Sequence, residues 1–339
     1  MSDAQATTAA ASRSNAGDVR ADMRLLEAVT EGDLAAAQAA VADGASVRVL
    51  NGRCEEPLHV ACACGYLDVA QWLHSAGASL DAVGSKGRTP LHLACSTGHL
   101  DVADWLHSVG ASLDATDGDG ETPLHYACEG GELYVAQWLH STGASVDATN
   151  RAGKTPLHRT CYKGHLDVAQ WLHGAGASVD AITSDGYTPL HLACIGGHFA
   201  FAQWLHGAGA SVDATNSDGE TPLHIACSHG RFEIAQWLCS AGADTSLNTE
   251  GGETPAQLLQ RHARTAQFDE QELRSTLACL VRRAQAQGPP PCPAAPVQAL
   301  TPTPLRLAQV QRHRVLRRRA PPHPARAQAT ARTCGCSTP

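Results

Sequence analysis

The sequence predicts an all-α protein, a solenoid of stacked helix-turn-helix repeats with a disordered tail at each end. A proline recurs every 33 residues from Pro57 to Pro255, and all six tryptophans keep the same step from Trp72 to Trp237. Within each period, Gly, Asp and Asn residues separate two short segments in which apolar residues recur at helical spacing. A fixed period of this length is typical of repeat proteins, so the 339 residues are better counted as one stack with tails than as two globular domains.

The amino end is expected to contain a tail and an imperfect first unit. Residues 1–21 are rich in Ala, Ser and Thr and have no apolar stretch, so we expect a disordered segment and no secretory signal. In residues 22–53, Leu25, Gly32 and Leu34 keep the repeat register while the recurring Pro and His are lost. An atypical end unit is expected in a repeat stack because its outer face must meet water.

Six full repeats are expected at about residues 54–249, and the third shows how each one folds. Thr122 suits a helix N-cap and Pro123 the first helical position, where the missing N–H costs nothing. Gly131 stops this first helix, and Trp138 lies on the apolar stripe of a second helix that ends near Gly143. Neither helix can bury its stripe within one unit, so the units must stack. The predicted structural motif residues are Thr89, Pro90, Leu91, His92, Thr122, Pro123, Leu124, His125, Thr155, Pro156, Leu157, His158, Thr188, Pro189, Leu190, His191, Thr221, Pro222, Leu223 and His224.

This motif resembles the ankyrin repeat, whose pattern includes T-P-L-H-x-A and a period of 33 residues. It reads TPLHLAC at Thr89–Cys95 and TPLHIAC at Thr221–Cys227, and GHLDVA follows at Gly98–Ala103. The resemblance extends over Asp22–Ala284, about 263 residues. It implies that the motif His bonds to backbone and locks adjacent loops. It also implies non-catalytic protein binding through the turn tips and the concave face of the first helices.

The carboxyl end is expected to mirror the amino end. Residues 250–284 keep Thr254 and Pro255 but lose the Trp and Cys, so they form a degenerate last unit. Residues 285–339 hold 11 of the 18 prolines and eight Arg with no acidic residue, which predicts a disordered tail. Residues 1–284 carry 17 Lys and Arg against 33 Asp and Glu. The basic cluster at Arg312–Arg319 could contact nucleic acid or direct nuclear import. Because residues 1–284 are acidic, the cluster could also fold back on the repeats.

The 18 His and 13 Cys first suggest a metalloprotein or a redox enzyme, but most of them occupy repeated positions. The spacing His-x-x-Cys occurs six times, from His59 and Cys62 to His224 and Cys227. A zinc site needs about four converging ligands, and each unit offers two, so we predict no metal and no cofactor. The repeated Cys are expected to fill small buried positions, and the Trp to pack between neighbouring helices. Unbridged thiols favour a reducing compartment, cytoplasm or nucleus.

Motifs for catalysis are missing from the sequence. It contains no P-loop pattern, no G-x-S-x-G, no H-E-x-x-H and no apolar run of about 18 residues. We therefore expect a monomeric, non-enzymatic scaffold or adaptor that binds a protein and does not enter a membrane. Three alternatives stay open: a nucleic-acid-associated or nuclear regulator that uses the tail, a substrate adaptor for ubiquitin ligation, and a metal-binding protein. The amphipathic segment 273–281 contains no convincing recruitment box for ubiquitin ligation.

Specificity is expected where the repeats differ from one another, since the repeated positions serve stacking. The fourth full repeat departs most and has basic residues interleaved with Tyr, and both Arg and Tyr are enriched in binding hot spots. The third repeat is acidic by contrast, with Asp117, Asp119, Glu121 and Glu129, so the surface should alternate in charge. The alternative is that these residues form solvated faces without a partner. The predicted partner-binding residues are Arg151, Lys154, Arg159, Tyr162, Lys163 and Tyr187.

Overall fold

The computed structural model describes residues 19–264 and 270–287. Within these ranges the protein is helical and has no β-strand, as predicted. Six full repeats each contain a first and a second helix. The first helices are α3 (Pro57–Cys64), α5 (Pro90–Ser96), α7 (Pro123–Gly130), α9 (Pro156–Lys163), α11 (Pro189–Gly196) and α13 (Pro222–Ser228). The second helices are α4 (Leu67–Ser75), α6 (Leu100–Ser108), α8 (Leu133–Ser141), α10 (Leu166–Gly174), α12 (Phe199–Gly207) and α14 (Phe232–Ala241).

Two helices at each end complete the stack. Residues 19–31 form α1, and α2 spans Leu34–Ala42. At the other end, α15 spans Pro255–Ala263 and α16 spans Glu270–Gln287. The predicted disorder of residues 1–18 and 288–339, with the basic cluster Arg312–Arg319, falls outside the described residues.

Each first helix begins where the motif predicts. In α7, the backbone N–H of Thr122 donates to Nδ1 of His125 at 3.2 Å, and the Thr122 hydroxyl lies 2.9 Å from the same nitrogen. This reciprocal capping box satisfies donors that a helix start otherwise leaves unpaired. The helix ends at Gly131, whose φ of 79° lies in the left-handed region that glycine tolerates best. Thr89, Thr155, Thr188 and Thr221 form the same capping box.

The motif histidine also joins one repeat to the next. Because Nδ1 accepts from a backbone N–H, the proton must lie on Nε2. From His125 it is donated to the Lys154 carbonyl at 3.0 Å, and from His158 to the Tyr187 carbonyl at 3.2 Å. Both histidines are fully buried, and burial lowers the pKa of each. The prediction that these rings lock adjacent loops is confirmed.

The core consists of the facing stripes of first and second helices. The six repeated cysteines, from Cys62 to Cys227, are fully buried in it, as predicted. The tryptophans are half-buried and pack against its edge, where each of five contacts a histidine of the preceding repeat. The ring centres of His140 and Trp171, for example, lie 5.9 Å apart in an edge-to-face arrangement. This ring contact stabilises the packing of neighbouring repeats in addition to the buried core.

The end units extend beyond their expected bounds. Helix α1 is already formed at residue 19, three residues before the predicted start at 22, and Ala21 is fully buried. Helix α16 packs on α14 and continues to Gln287, three residues after the predicted end at 284. The reason is a contact between residues far apart in the sequence: the Gln287 carboxamide accepts from the Thr245 N–H at 3.1 Å and donates to the Ala243 carbonyl at 3.1 Å.

Candidate functional site

Hairpin loops precede the first helices, and their tips are linked by backbone hydrogen bonds. The N–H of Arg151 donates to Asp119 at 2.9 Å, and the N–H of Ser184 donates to Ala152 at 2.9 Å. From the second to the sixth full repeat, each tip is also bonded by the motif histidine of the repeat before it. We call the surface formed by the tips and the exposed sides of the first helices the first-helix face. It is rigid over these repeats because each one is bonded to the tip of the next twice.

A cleft of about 440 Å³ opens on this face between the fourth and fifth full repeats. Four of the six predicted binding residues meet in it, and two of these, Lys154 and Tyr187, occupy the same register position one repeat apart. We call it the Tyr162 cleft. Its lining residues are Ala152, Lys154, His158, Arg159, Tyr162, Thr183, Asp185, Tyr187, Leu192 and Ile195.

Aromatic and aliphatic side chains form much of the wall. The Tyr162 side chain is 50% exposed at the end of α9, a large apolar surface offered to solvent. The Tyr187 ring packs edge-to-face on His191 with centres 5.7 Å apart, so its orientation is set. Leu192 and Ile195 come from α11. Sequence reasoning missed these two, although Leu192 follows Arg159 by one repeat period and could have been found by that offset.

The charged residues of the cleft differ in whether another side chain forms an ion pair with them. The ammonium of Lys154 makes no hydrogen bond or ion pair within the described residues. By contrast Arg88, which holds the equivalent position two repeats earlier, lies 3.2 Å from Glu55. Asp185, on the hairpin tip of the fifth repeat, is exposed and likewise has no ion pair with a described residue. The charge of Lys154 is therefore not neutralised by any ion pair with a described side chain.

Arg159 has an internal role that the sequence did not reveal. Its Nε donates to Oε2 of Glu121 at 3.1 Å, and its Nη2 donates to Oε1 of the same carboxylate. Burial opposes the charged form of Arg159, but the bonds to Glu121 outweigh it and raise the pKa of the guanidinium. Asn150 also donates to Glu121, which is only 3% exposed. Arg159 thus neutralises a buried carboxylate and shapes one wall of the cleft.

The expectation of an acidic surface on the third repeat is corrected by these contacts. Glu121 is buried, and Asp117 is only 4% exposed. The Asp117 carboxylate accepts from the Tyr126 hydroxyl at 2.8 Å and from two backbone N–H groups of its own hairpin. Burial acts against ionisation of Asp117, but these bonds prevail and lower its pKa. Two of the four acidic residues therefore stabilise hairpin tips.

The remaining two predicted residues lie outside the cleft lining. The Arg151 guanidinium donates to the Gly118 carbonyl of the preceding tip, so this side chain helps to join two hairpins. The Lys163 ammonium lies 3.2 Å from Glu129 on α7 and 6.0 Å from the centre of the Tyr162 ring. It can therefore orient Tyr162 from the side, but it has a partner of its own.

The repeated His and Cys do not form a metal centre in the described ranges. No group of three or more His, Cys, Asp and Glu residues there converges as ligands would. The physical reason is clear at His125, whose two ring nitrogens are both engaged by the backbone. In the same ranges, no helix has the length and apolar character needed to cross a bilayer.

The repeats match known proteins in sequence and in structure. A family model described as "Ankyrin repeats (3 copies)" matches residues 25–117 and 173–249. A second, "Ankyrin repeats (many copies)", matches residues 98–140 and 124–173. This chain belongs to the ankyrin repeat family. Ankyrin repeats are protein–protein interaction modules and are generally non-catalytic, so the first-helix face belongs to an interaction domain.

The fold of these ankyrin repeats also resembles a solved structure. The crystal structure of the human ASB11 ankyrin repeat domain aligns with a TM-score of 0.57 and 27% sequence identity. The alignment covers 70% of this chain and all of that one. A search of curated proteins finds no match.

Proposed function

We propose that this ankyrin repeat chain is a non-catalytic scaffold or adaptor that holds a protein partner in the Tyr162 cleft. The observation that carries the proposal is the combination of an exposed tyrosine and an unpaired lysine at one cleft. Tyrosine is enriched among residues that dominate binding energies, and an unpaired ammonium can donate a charge-assisted hydrogen bond to a partner. Neither Tyr162 nor Lys154 is engaged by side-chain hydrogen bonds in the described stack, so both are available to a partner.

Rigidity is the mechanism of binding. Hairpin tips on both sides of the cleft are fixed by backbone bonds and by the buried rings of His158 and His191. A preformed surface limits the entropy lost on association, so more of the contact energy is left for affinity. In this proposal Tyr162, Lys154 and Tyr187 contact the partner, while Arg159 holds the shape of the cleft.

The alternative of a recruitment sequence for ubiquitin ligation in segment 273–281 gains no support. Thr276 and Leu280 are buried against the stack, and Thr276 accepts a hydrogen bond from Gln236 at 2.8 Å. Because Thr276 and Leu280 hold one side of α16 against the stack, that side of the segment is not available to a second protein. The alternative based on the basic tail concerns residues outside the described ranges.

Affinity capture with the full chain tests the proposal, with Tyr162→Ala as the variant and Tyr134→Ala as its matched control. Tyr134 is 77% exposed on second helix α8, away from the cleft, so both variants remove one exposed tyrosine. We expect wild type and Tyr134→Ala to capture the same proteins from the native cell, quantified by mass spectrometry. Tyr162→Ala should lose a defined subset without a change in melting temperature. Identical capture by all three chains would overturn the assignment of function to this cleft.

A further inference from the structure

We infer that the Tyr162 cleft selects an extended protein segment in which an Asp or Glu stands beside a large apolar side chain. The inference rests on the proposed function and names the chemistry of the partner. It follows from three features of the cleft lining: an ammonium at Lys154 without a described ion pair, a group of apolar side chains, and a carboxylate at Asp185 that is likewise unpaired in the described stack.

The cationic group of the cleft is Lys154. Its ammonium has no hydrogen bond or ion pair with a described residue. Arg159 also lines the cleft, but its guanidinium is bonded to Glu121 and its Nη1 lies 3.9 Å from Glu129, so its charge is already balanced. A carboxylate of the partner would therefore receive a charge-assisted hydrogen bond from Lys154.

The acidic residue at the position equivalent to Lys154 in the preceding repeat does not cancel this attraction. Glu121 is buried and already holds two hydrogen bonds from Arg159 and one from Asn150. The tips of the third and fourth repeats thus present Lys154 beside a neutralised Glu121. This is the reason that an acidic group is favoured beside Lys154.

The other lining residues define the rest of the segment. Tyr187, Leu192 and Ile195 line the cleft, and its volume of about 440 Å³ accommodates a large apolar side chain with adjoining backbone. Asp185 also lines the cleft and repels carboxylates, so the acidic residue of the segment is favoured beside Lys154 and not beside Asp185. The cleft consequently selects an acidic residue at Lys154 and an apolar residue against Tyr187, Leu192 and Ile195.

Selection from a phage-displayed library of random linear peptides tests the inference on the immobilised full chain. We expect wild type to enrich peptides with Asp or Glu next to Phe, Leu, Ile or Trp. Lys154→Glu should weaken these peptides roughly tenfold and should enrich Lys or Arg in place of the acidic residue. Lys86→Glu is the matched control, because it makes the same charge change at an exposed hairpin tip two repeats away. It should select the wild-type peptides.

The outcomes separate this inference from the proposed function. Peptides that depend on Tyr162 but show no acidic preference, or that bind Lys154→Glu equally well, would overturn the inference and leave the cleft as a binding site. If no enriched peptide depends on Tyr162, the inference also fails, whereas the proposed function is decided separately by the capture experiment. Lys154→Gln, which removes the charge without reversing it, guards against a folding defect. It should weaken the acidic peptides without selecting basic ones.

Discussion

Arg159 on α9 donates two hydrogen bonds to the carboxylate of Glu121, which belongs to the hairpin tip of the preceding ankyrin repeat. The guanidinium side chain is 24% exposed and the carboxylate 4% exposed. A pair of this kind joins two repeats and, at the same time, forms the wall of the candidate binding cleft. Its removal therefore has consequences for stability that must be separated from consequences for binding.

Arg159→Ala should destabilise the protein by about 2–3 kcal/mol, because Glu121 is then left buried without its counter-charge. The free energy of unfolding from urea titration measures the loss. Glu121→Gln in the same chain should recover part of it, since a neutral amide tolerates burial better than an unpaired carboxylate. This is the reason that Tyr162 rather than Arg159 is the variant of choice for binding.

Lys163→Ala provides the comparison on the same helix. Lys163 pairs with Glu129, but both side chains are substantially exposed, so the expected loss is within about 0.5 kcal/mol. Equal losses for Arg159→Ala and Lys163→Ala would show that the buried position of Glu121 does not matter.

Cys54→Gly should stabilise the protein by about 0.5–1 kcal/mol. Cys54 has a φ of 57°, and the other five full repeats carry glycine at this hairpin position, with φ between 71° and 80°. A side chain costs about 1–2 kcal/mol in this left-handed region, whereas the added flexibility of glycine in the unfolded chain costs about 0.4–1 kcal/mol. Thermal unfolding followed by circular dichroism would detect the change, and a lower melting temperature would contradict it.

Two glycine-to-alanine substitutions at equivalent repeat positions distinguish the cost of backbone strain from the cost of a steric clash. At Gly252 an added Cβ would meet no atom within 4 Å, so Gly252→Ala should cost only the strain of about 1 kcal/mol. At Gly153 the Cβ would lie 2.8 Å from the backbone nitrogen of Ser184 in the next tip. Gly153→Ala should therefore cost clearly more. Equal losses of stability for the two variants would mean that neighbouring hairpin tips move apart without a free-energy cost.

The stability of the stack should fall as the solution is acidified. Burial lowers the pKa of His158 and of His191 to about 4, from 6.5 in the unfolded chain. Between these values the unfolded state binds more protons, so stability present above pH 6.5 is lost as the pH falls toward 4. The expected loss is on the order of 3 kcal/mol for each histidine. Urea titrations at several pH values measure it, and a constant unfolding free energy would refute it.

His158→Gln isolates the contribution of one histidine to this pH dependence. The chain already contains a capping box with glutamine, in which the Thr254 N–H donates to Gln257 at 2.8 Å, so the helix start should survive. The bond to the Tyr187 carbonyl is lost, which should cost about 1 kcal/mol at neutral pH. The pH-dependent loss should shrink, because glutamine does not titrate. An unchanged pH profile would assign the effect elsewhere.

Alkylation should divide the cysteines into two groups. Burial raises the pKa of the Cys128 thiol and of its five repeated counterparts, so neither reagent access nor thiolate is available in the folded state. Cys54 and Cys64 are exposed. Brief treatment with iodoacetamide followed by mass spectrometry should modify these two and spare Cys128 until urea is added. Rapid labelling of Cys128 under native conditions would argue against a tightly packed core.

The architecture could be predicted almost completely because its information is local and repeated. The Thr-Pro helix starts, the stop at Gly131 and the buried Cys each follow from a few adjacent residues, and six copies make the pattern unambiguous. The end units were predicted less well. Helix α16 continues to Gln287 because its carboxamide bonds to Thr245 and Ala243, more than 40 residues earlier. No local pattern contains such a contact.

The candidate cleft was predicted in outline and corrected in detail. Differences between repeats were sufficient to single out Lys154, Tyr162 and Tyr187. A departure from the repeated motif can be recognised in the sequence without knowing which residues are in contact. The same reasoning treated Arg159 as a free cation and Glu121 as part of an acidic surface. Only their position on adjoining repeats shows that they pair.

The amino-acid sequence by itself thus determined the period, the helices, the buried positions and the ankyrin family. These depend on spacing along the chain, which the sequence states directly. The tertiary structure decided which charged side chains form ion pairs and which do not. Ion pairing depends on distances between side chains that are 33 or 38 residues apart in the sequence. Arg88 and Lys154 illustrate the difference: both are basic and share one register, but Arg88 meets Glu55 at 3.2 Å while Lys154 has no described partner.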